Sequence, residues 1–264
     1  MIKISLVGDI GSGKTYISKL FKVNCFCADM EVKKLYKSNR RCFMKLKKKF
    51  PQFIKTFPIK KNELSNIIKN KVIKYIDKFS LEVETTDSVN TIYKSGNNII
   101  GHNTDVAGFE LGLRHSKINV LHKSILILGA GGVVPSIIYS LLSMGCKKIF
   151  LSNRTIEKAE NIKKKFNEVE ILKWKKIPDF DIVINATSVG LKGESLDLDF
   201  NTKDKVYYDV IYNPKETQFL KKARENGNRI ENGKFMFIYQ ANQSFSIWNN
   251  IIPKIDEEVL KILE

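Results

Sequence analysis

The chain is poor in cysteine, proline and histidine, and it has no long apolar run. It contains 4 Cys, 6 Pro and 3 His in 264 residues. Four cysteines are too few for a disulfide framework, and Cys25 and Cys27 have no second pair with which to hold zinc. No apolar stretch approaches the about 20 residues that a membrane-spanning helix needs, and the first seven residues do not form a signal peptide. We therefore expect a reduced, cytoplasmic protein with no metal and no membrane partner.

Acidic residues are scarce in the first third of the chain, and this imbalance produces most of the net charge of +17. Residues 1–80 contain 20 Lys and Arg against 5 Asp and Glu, whereas residues 81–264 contain 25 against 23. A nucleic-acid site usually adds a recognisable fold or interleaved aromatic residues. The basic run at residues 40–49 lies instead in a helical pattern, where a solvated face is the better interpretation. We expect no nucleic-acid partner, and the charge step marks a junction between two unlike segments.

The first segment carries a phosphate-binding motif. An apolar strand at residues 2–7 leads into Gly8-Asp-Ile-Gly-Ser-Gly13-Lys14-Thr15, and a helical pattern follows. This matches Gly-x-x-x-x-Gly-Lys-Ser/Thr in its required context. Backbone N–H groups would surround a phosphate, Lys14 would reach its β/γ oxygens and Thr15 would hold Mg²⁺. The alternative is a glycine-rich turn with an incidental Lys-Thr pair.

The residues after this motif resemble the dephospho-CoA kinase family. Asp29, in Cys27-Ala-Asp-Met-Glu-Val32, matches the family's base on the accepting hydroxyl, and residues 57–64 continue the resemblance. A P-loop kinase also needs a five-stranded sheet, a lid and an adenine site, for which no sequence follows residue 70. About 70 residues form only a marginal core alone. We therefore interpret residues 1–70 as a kinase-like fragment, with ATP and Mg²⁺ expected only if it is a phosphotransferase.

The second segment contains a dinucleotide-binding fingerprint. The apolar residues 124–128 are typical of a strand buried on both faces of a parallel sheet. The loop Gly129-Ala130-Gly131-Gly132-Val133 follows and opens a helix that runs to about Met144, with Val134 where a third Gly or Ala is usual. A pyrophosphate would lie at the helix N-terminus, where N–H groups and the helix dipole favour negative charge.

The end of the next strand favours NADP over NAD. Residues 148–152 form this strand, and Asn153-Arg154-Thr155 follow it, 24 residues after the first glycine of the loop. An NAD enzyme would place Asp or Glu in this region, whereas an arginine accommodates the 2′-phosphate of NADP. Lys158, one turn into the next helix, adds positive charge. The alternative is that Arg154 is a surface residue at the start of a helix.

The remaining elements follow from apolar patterns. We predict a hairpin at 89–100, a helix entered at 103–105, strands at 181–185 and 206–212, a helix at 227–233 and an amphipathic helix at 233–248. The two strands end in small polar residues, at the carboxyl ends where ligands of open parallel sheets bind. Gln240 is the polar residue of interest on the last helix, whose aromatic residues are expected in the core.

Seven short motifs, in order, resemble those of the shikimate dehydrogenase family: Val89-Asn90-Thr91, Asn103-Thr104-Asp105, Gly129-Ala-Gly-Gly132, Asn153-Arg154-Thr155, Asn185-Ala-Thr-Ser-Val-Gly190, Asp209-Val-Ile-Tyr212 and Gln240-Ala241. The resemblance covers about residues 71–264 and implies NADPH-dependent reduction of 3-dehydroshikimate to shikimate, on the route to chorismate and the aromatic amino acids. It makes Asp105 the catalytic acidic partner, and Asn90, Asp105, Tyr212 and Gln240 would line the substrate. The residues implied to contact NADP are Gly129, Ala130, Gly131, Gly132, Val133, Asn153, Arg154, Thr155, Lys158, Val210 and Gly233.

Two features of that family have no clear match here. A Ser-x-Ser pair that grips the substrate carboxylate is missing. The catalytic lysine of the family's Val-Thr-x-Pro-x-Lys motif falls, 21 residues before Asn90, on Lys69, but the preceding residues lack the motif's Thr and Pro. Because 18 of the first 80 residues are lysine, any given position there is a lysine by chance about once in four to five. We therefore expect feeble catalysis even where NADP binds well.

We predict an α/β protein with three parts. Residues 109–237 form a Rossmann-like NADP domain, and residues 71–108 with 238–264 form a smaller α/β substrate domain. A P-loop strand and helix within residues 1–70 replace the opening of that second domain. The rival functions are a phosphotransferase that uses Lys14, Thr15 and Asp29, and an inactive nucleotide-binding fusion. The sequence does not choose between shikimate and quinate, and a homodimer is compatible with it.

Overall fold

A computed structural model describes residues 37–52, 54–60, 63 and 76–261. The phosphate-loop residues Gly8, Gly13, Lys14 and Thr15, together with Asp29 and Lys69, lie outside the described residues. The chain divides into two compact units, one of Met1–Lys78 with Lys94–Gly101 and one of Phe79–Tyr93 with His102–Glu264. The expected domain limits differ from this division and stay a prediction.

The described part of the first unit is built on a basic helix, α1 (Arg40–Lys49). Asn39 caps its start, because its side chain accepts a hydrogen bond of 2.8 Å from the Cys42 N–H. The apolar residues of this helix pack with a short segment that follows it, in a small cluster of Phe43, Leu46, Phe50, Ile54 and Ile59. Three lysines close the helix and complement its dipole, which agrees with the solvated basic face expected from the sequence.

Five further elements of the described residues precede the large sheet in the chain: β1 (Lys78–Phe79), α2 (Leu81–Thr86), β2 (Thr91–Ser95), β3 (Asn98–His102) and α3 (Thr104–His115). The expected hairpin is confirmed, since β2 and β3 are joined by a turn in which Gly96 has a φ of +57°. The expected helix after it is also confirmed. Asn103 caps that helix, because its side chain accepts from the Asp105 N–H.

The second unit is a doubly wound sheet with helices on both faces. Its elements are β4 (Ser124–Leu128), α4 (Val134–Ser143), β5 (Lys148–Ser152), α5 (Ile156–Lys163), β6 (Val169–Leu172), β7 (Ile182–Asn185), β8 (Val206–Asp209), α6 (Gln218–Glu225), β9 (Arg229–Asn232), α7 (Lys234–Asn249) and α8 (Glu257–Lys261). The strand order is β6-β5-β4-β7-β8-β9, and every neighbouring pair is parallel. The order reverses between β4 and β7, which is where open α/β sheets bind their ligands.

The central strand β4 shows why the sequence gives this arrangement. Ile125 and Ile127 point into one hydrophobic cluster, and Leu126 and Leu128 point into another on the opposite face. A strand buried on both faces requires apolar residues at consecutive positions rather than alternate ones. The apolar run at 124–128 predicted a strand buried on both faces, and the structure confirms it.

Strands β9 and β6 of the large sheet were not predicted from the sequence. The predicted helix at 227–233 is wrong, because this segment forms β9 and pairs in parallel with β8. Gly227 turns the chain with a φ of +78°, and Arg229 then donates to the backbone oxygens of Ser116 and Lys117 at the end of α3. Pairing with a distant strand therefore outweighs local propensity. Strand β6 was missed, because Glu170 interrupts its apolar residues, whereas the equally short β7 and β8 begin with unbroken apolar runs.

The described residues contain two cysteines, no candidate membrane-spanning helix and no candidate metal site. Cys42 and Cys146 are free thiols, and burial raises the pKa of the Cys146 thiol to about 11, which leaves it protonated at neutral pH. Within the described ranges, no helix is both long and apolar enough to cross a membrane. The same ranges hold no group of three side chains that could bind a metal ion.

Candidate active site

The glycine loop between β4 and α4 is closed on one side and open on the other. Gly129 has a φ of +106°, and a Cβ there would lie 2.8 Å from the Ala186 carbonyl oxygen. Only glycine fits this position. A Cβ on Gly132 would meet nothing within 4 Å, and Gly131 is exposed. The loop therefore offers an open cradle directly before the N-terminus of α4, where an anion is favoured.

The turn after β5 presents positive charge next to this loop. The Gly129 N–H donates to the Ser152 carbonyl oxygen at 2.8 Å, which joins the loop to the end of β5. Asn153 shapes the turn, since its Nδ2 donates to the Thr155 backbone oxygen at 2.6 Å. The side chains of Arg154 and Lys158 are both exposed. The geometry therefore leaves two cations accessible at the start of α5.

A buried polar cluster shapes the loops after β7 and β8. We call Asn185, Asp209 and Thr217 the Asp209 cluster. The Asp209 carboxylate is 0% exposed and accepts from Thr217 Oγ1 (2.7 Å), Asn185 Nδ2 (3.1 Å) and the Ile211 N–H (3.0 Å). Burial raises its pKa to about 6, although these three donors act in the opposite direction. Asn185 also accepts from the Thr187 N–H and hydroxyl, so the cluster fixes both loops.

Val210 and Gly233, both expected to contact the cofactor, lie against each other. A Cβ on Gly233 would overlap the Val210 carbonyl group, so this approach requires glycine. The Gly233 N–H donates to the Ile211 carbonyl oxygen at 3.2 Å, and the Val210 N–H donates to the Asn185 carbonyl oxygen at 3.0 Å. The start of α7 is therefore held at the carboxyl ends of β7 and β8.

A second polar cluster contains two of the four predicted substrate residues. Asn90 Nδ2 donates to Asp105 Oδ1 at 2.9 Å, and Asn90 Oδ1 accepts from the Thr104 N–H at 2.9 Å. The second bond sets the orientation of the amide, so its NH₂ group must face the carboxylate. The Ser244 hydroxyl joins Thr91 Oγ1 (2.8 Å) and Thr104 Oγ1 (3.0 Å). We call these five residues the Asn90 cluster.

The other two predicted substrate residues are placed by helix α7. A Cβ on Gly108 would lie 2.7 Å from Gln240 Cβ, and one on Gly112 would lie 2.9 Å from the Met236 nitrogen. The two glycines therefore allow α3 and α7 to approach closely, which puts Gln240 beside the helix that begins at Thr104. Tyr212 stacks on Phe237 of α7 with ring centroids 4.7 Å apart and planes at 19°.

Several buried hydroxyl residues near these sites were not predicted from the sequence. Ser244 and Thr104 are buried within the Asn90 cluster, and Ser136 and Ser140 are buried in the apolar helix α4. One signal was present for the last two. Serines four residues apart in an otherwise apolar helix lie on one face and need buried partners.

The fold and these sites define a class of protein. A doubly wound parallel sheet, with an open glycine loop at the point where the strand order reverses, is a nicotinamide-dinucleotide-dependent oxidoreductase scaffold. Residues 112–191 match the family model described as shikimate / quinate 5-dehydrogenase. The chain is 49% identical over 216 residues to the shikimate dehydrogenase (NADP(+)) of Pelagibacter ubique, covering 79% of this chain and 82% of the relative. The chain belongs to the shikimate dehydrogenase family.

Solved structures agree with this assignment. The shikimate 5-dehydrogenase of Listeria monocytogenes in complex with shikimate and NAD is 30% identical, with a TM-score of 0.66 over 72% of this chain and 73% of that one. The shikimate 5-dehydrogenase of Thermus thermophilus in complex with NADP(H) and shikimate is 27% identical, with a TM-score of 0.65 over 71% and 72%. The α/β class with a parallel sheet is therefore confirmed.

Proposed function

We propose that the protein catalyses the NADPH-dependent reduction of 3-dehydroshikimate to shikimate. The observation that carries this proposal is the hydrogen bond between Asn90 and Asp105, in the unit that also holds the glycine loop. A donor facing the carboxylate fixes its direction. Family membership supports the same reaction, which lies on the route to chorismate and the aromatic amino acids.

The residues around the glycine loop fit NADP. The open side of Gly131 and Gly132 leaves room for a diphosphate at the start of α4. The turn of Asn153, Arg154 and Thr155 contains no carboxylate that would repel a 2′-phosphate. Arg154, together with Lys158, would bind that phosphate. Bound NADPH supplies the hydride for the carbonyl carbon of the substrate.

The chain itself supplies the proton and holds the substrate. Asp105 would keep a neighbouring ammonium charged and in place, and this ammonium would donate the proton to the reduced carbonyl oxygen. We assign that role to Lys69, which lies outside the described residues, because its register 21 residues before Asn90 matches the family's catalytic lysine. Asn90, Tyr212 and Gln240 would line the substrate.

The test is NADPH oxidation with 3-dehydroshikimate, followed by absorbance over a saturation series. We expect turnover below the ordinary range of about 1–1000 s⁻¹ or a KM above about 1 mM. The missing serine pair would have made two hydrogen bonds to the substrate carboxylate, each worth about 1.5–3 kcal/mol. Ordinary values would show that residues 1–70 complete the site, and no oxidation at all would contradict the proposed reaction.

A matched pair of lysine variants tests the role of Lys69. Lys69→Ala should abolish the remaining turnover, whereas Lys71→Ala should retain it. The two residues are close in a lysine-rich stretch, so a general loss of charge would affect both. Equal turnover of the two variants would remove Lys69 from the mechanism.

The rates at which shikimate and quinate are oxidised, each measured with NADP⁺, decide which of the two substrates the protein prefers.

A second function rests on the motif at residues 8–15. We propose that residues 1–70 are a P-loop segment similar to the start of dephospho-CoA kinase, with Gly8, Gly13, Lys14 and Thr15 as the phosphate loop and Asp29 as the base. ATP hydrolysis or phosphoryl transfer that Lys14→Ala abolishes would support this proposal. Binding of NADP(H) with no ATP binding would contradict it and leave the dehydrogenase unaffected.

Three further predictions concern organisation. The domain limits 71–108 with 238–264 and 109–237 can be tested by expressing residues 71–264 alone and measuring NADP binding. A homodimer can be tested by light scattering of the purified chain. A cytoplasmic location follows only from composition and can be tested by cell fractionation.

A further inference from the structure

Asn103 is a buried amide whose hydrogen-bonding groups are all engaged. It lies between β3 and α3 and is 0% exposed. Its Oδ1 accepts from the Asp105 N–H at 3.0 Å, and its Nδ2 donates to Thr86 Oγ1 at 2.9 Å and Ser136 Oγ at 2.8 Å. A carboxamide has two N–H groups and one carbonyl. Asn103 therefore uses each of these groups on a different helix: α2, α3 and α4.

These contacts admit one orientation of the amide. The Asp105 N–H must face an acceptor, so Oδ1 lies on that side and Nδ2 lies towards Thr86 and Ser136. The Thr86 hydroxyl donates to the Glu82 carbonyl oxygen at 2.5 Å, so it can only accept from Asn103. The direction of each hydrogen bond at Asn103 is thus determined.

The Ser136 contact joins the two candidate sites. Ser136 lies in the first turn of α4, the helix that directly follows the glycine loop. Asn103 is adjacent to Thr104, whose N–H donates to Asn90 Oδ1 and so aims the Asn90 amide at Asp105. The hydrogen bond from Asn103 to Ser136 therefore connects helix α4, which follows the glycine loop, to the backbone that orients the Asn90–Asp105 pair.

We propose that Asn103 is a positioning residue that couples the dinucleotide loop to the Asn90–Asp105 pair through its hydrogen bond to Ser136. The inference rests on the proposed function. Ligand at the loop would fix the first turn of α4, and the Asn103–Ser136 bond would transmit that restraint to the start of α3. Coupling of two binding sites is reciprocal, so each ligand should tighten the binding of the other by the same factor.

The chain offers a matched control on the same helix. Ser140 is also fully buried, and its Oγ lies within hydrogen-bond distance of the carbonyl oxygens of Val106 (3.0 Å) and Ser136 (2.9 Å). It therefore links α4 to α3, but it does not contact Asn103. Ser136→Ala and Ser140→Ala each remove one buried hydroxyl from α4, so a purely structural role predicts similar effects of the two.

The experiment measures the dissociation constant of NADPH with and without saturating shikimate, a pair that cannot react, by titration calorimetry. The ratio of the two constants is the coupling factor. We expect the factor to exceed 3 in the unmodified chain, to fall to within twofold of 1 in Ser136→Ala, and to keep its original value in Ser140→Ala. Thermal unfolding of both variants checks that each is folded. If Ser136→Ala does not fold, Ser136→Cys, whose thiol accepts weakly, replaces it with the same expectation.

Three outcomes would overturn the inference. If the coupling factor of the unmodified chain is 1, the two sites are not coupled and Asn103 transmits nothing between them. Unchanged coupling in the Ser136 variant, or equal loss in the two serine variants, would make the contact structural only. A chain that binds neither ligand would contradict the proposed function as well, whereas NADPH oxidation with no coupling would contradict this inference alone.

Discussion

The glycine loop and the Asn90 cluster are built in opposite ways. The loop follows β4 directly, and its shape depends on the positive φ of Gly129 and on the backbone of the adjacent strand β7. The Asn90 cluster joins partners that are 14, 15 and 153 residues apart in the chain. The residues of the loop are therefore contiguous in the chain, whereas the Asn90 cluster brings together residues that are far apart in it.

The two aspartates that serve these regions differ in the same way. Asp209, near the cofactor loops, is fully buried, and the donors from Thr217, Asn185 and Ile211 that face its carboxylate are uncharged. Asp105 is only half-buried, and the Asn90 amide faces its carboxylate. A buried carboxylate without a cation costs folding free energy, while a partly exposed one is available for chemistry. We interpret Asp209 as the structural acid and Asp105 as the chemical one.

The largest expected effect is that of replacing Asp105, which should impair the chemistry at the Asn90 cluster and leave the glycine loop intact. Asp105→Asn keeps an oxygen that can accept from Asn90 but removes the charge. We expect turnover to fall by about 10²- to 10⁴-fold, the range for loss of acid–base chemistry. Stability and NADP affinity should change little, because the charge of a half-exposed carboxylate contributes little to folding and Asp105 is not part of the glycine loop. Kinetics, calorimetry and thermal unfolding check the three quantities.

Unchanged turnover would contradict the assignment of Asp105. A half-buried residue at the start of a helix can also act as a simple cap, whose loss would cost about 1 kcal/mol of stability and no activity. Asn103, however, already provides the side-chain cap of α3. If Asp105 were only a cap, Asp105→Asn would leave the rate unchanged. The kinetic measurement therefore decides between the capping role and the catalytic role of Asp105.

The difference between the regions also explains what the sequence could predict. Strands β4 and β5 and the loop at Gly129 follow from apolar runs and glycines that are contiguous in the chain, and they were confirmed. Strand β9 could not be found, because its conformation depends on pairing with β8. Asn90 and Asp105 were singled out only through a family resemblance, and the hydrogen bond between them was not predicted.

The partners of the buried hydroxyls could not be predicted from local sequence. Ser244 meets Thr91 across 153 residues, and Ser136 meets Asn103 across 33. Neither serine has a neighbour in sequence that signals its partner. Predicting such contacts requires the packing of α3 against α7 and α4, which depends on the whole fold rather than on any one motif.

The Asp209 cluster should give a pH dependence of stability opposite to that of ordinary carboxylates. Its folded pKa of about 6 lies above the usual 3.8, so the folded state binds the proton more tightly. Stability from this group is complete below about pH 4 and is lost as the pH rises to about 6. The loss is about 3 kcal/mol, since one pKa unit corresponds to about 1.4 kcal/mol.

Asp209→Asn tests this expectation through a difference. Surface acids such as Asp181 and Glu216 have lowered pKa values because of hydrogen bonds, so their contributions change in the opposite direction. The unfolding free energies of both proteins are measured by urea denaturation at several pH values. The difference between them cancels the contributions of these surface acids. We expect the difference between them to change between pH 4 and 6 and to be constant above about pH 7. A flat difference throughout would contradict the raised pKa.

Arg154 tests whether the loop region selects its cofactor independently of the Asn90 cluster. Arg154→Ala should narrow the preference for NADP over NAD by about 1–3 kcal/mol, the range for one charge-assisted hydrogen bond. Arg224, an exposed arginine on α6 that pairs with Glu216, provides the control. Arg224→Ala should leave the preference unchanged. Equal affinities for NADP and NAD in the unmodified chain, measured by titration calorimetry, would refute the predicted selectivity.

The smallest expected effect compares two neighbouring tyrosines of β8, both 1% exposed. Tyr207 OH shares a hydrogen bond of 2.6 Å with Thr202 Oγ1, whereas Tyr208 OH has no hydrogen-bond partner among the described residues and lies in the core against Phe109. An unmade bond to a buried hydroxyl costs folding free energy, and a made one contributes about 1 kcal/mol. Tyr208→Phe should therefore raise the free energy of unfolding by about 1 kcal/mol, and Tyr207→Phe should lower it by about as much. The two variants remove the same atom from the same strand, so urea denaturation that gave both changes the same sign would show that hydrogen bonding does not control the stability of this sheet.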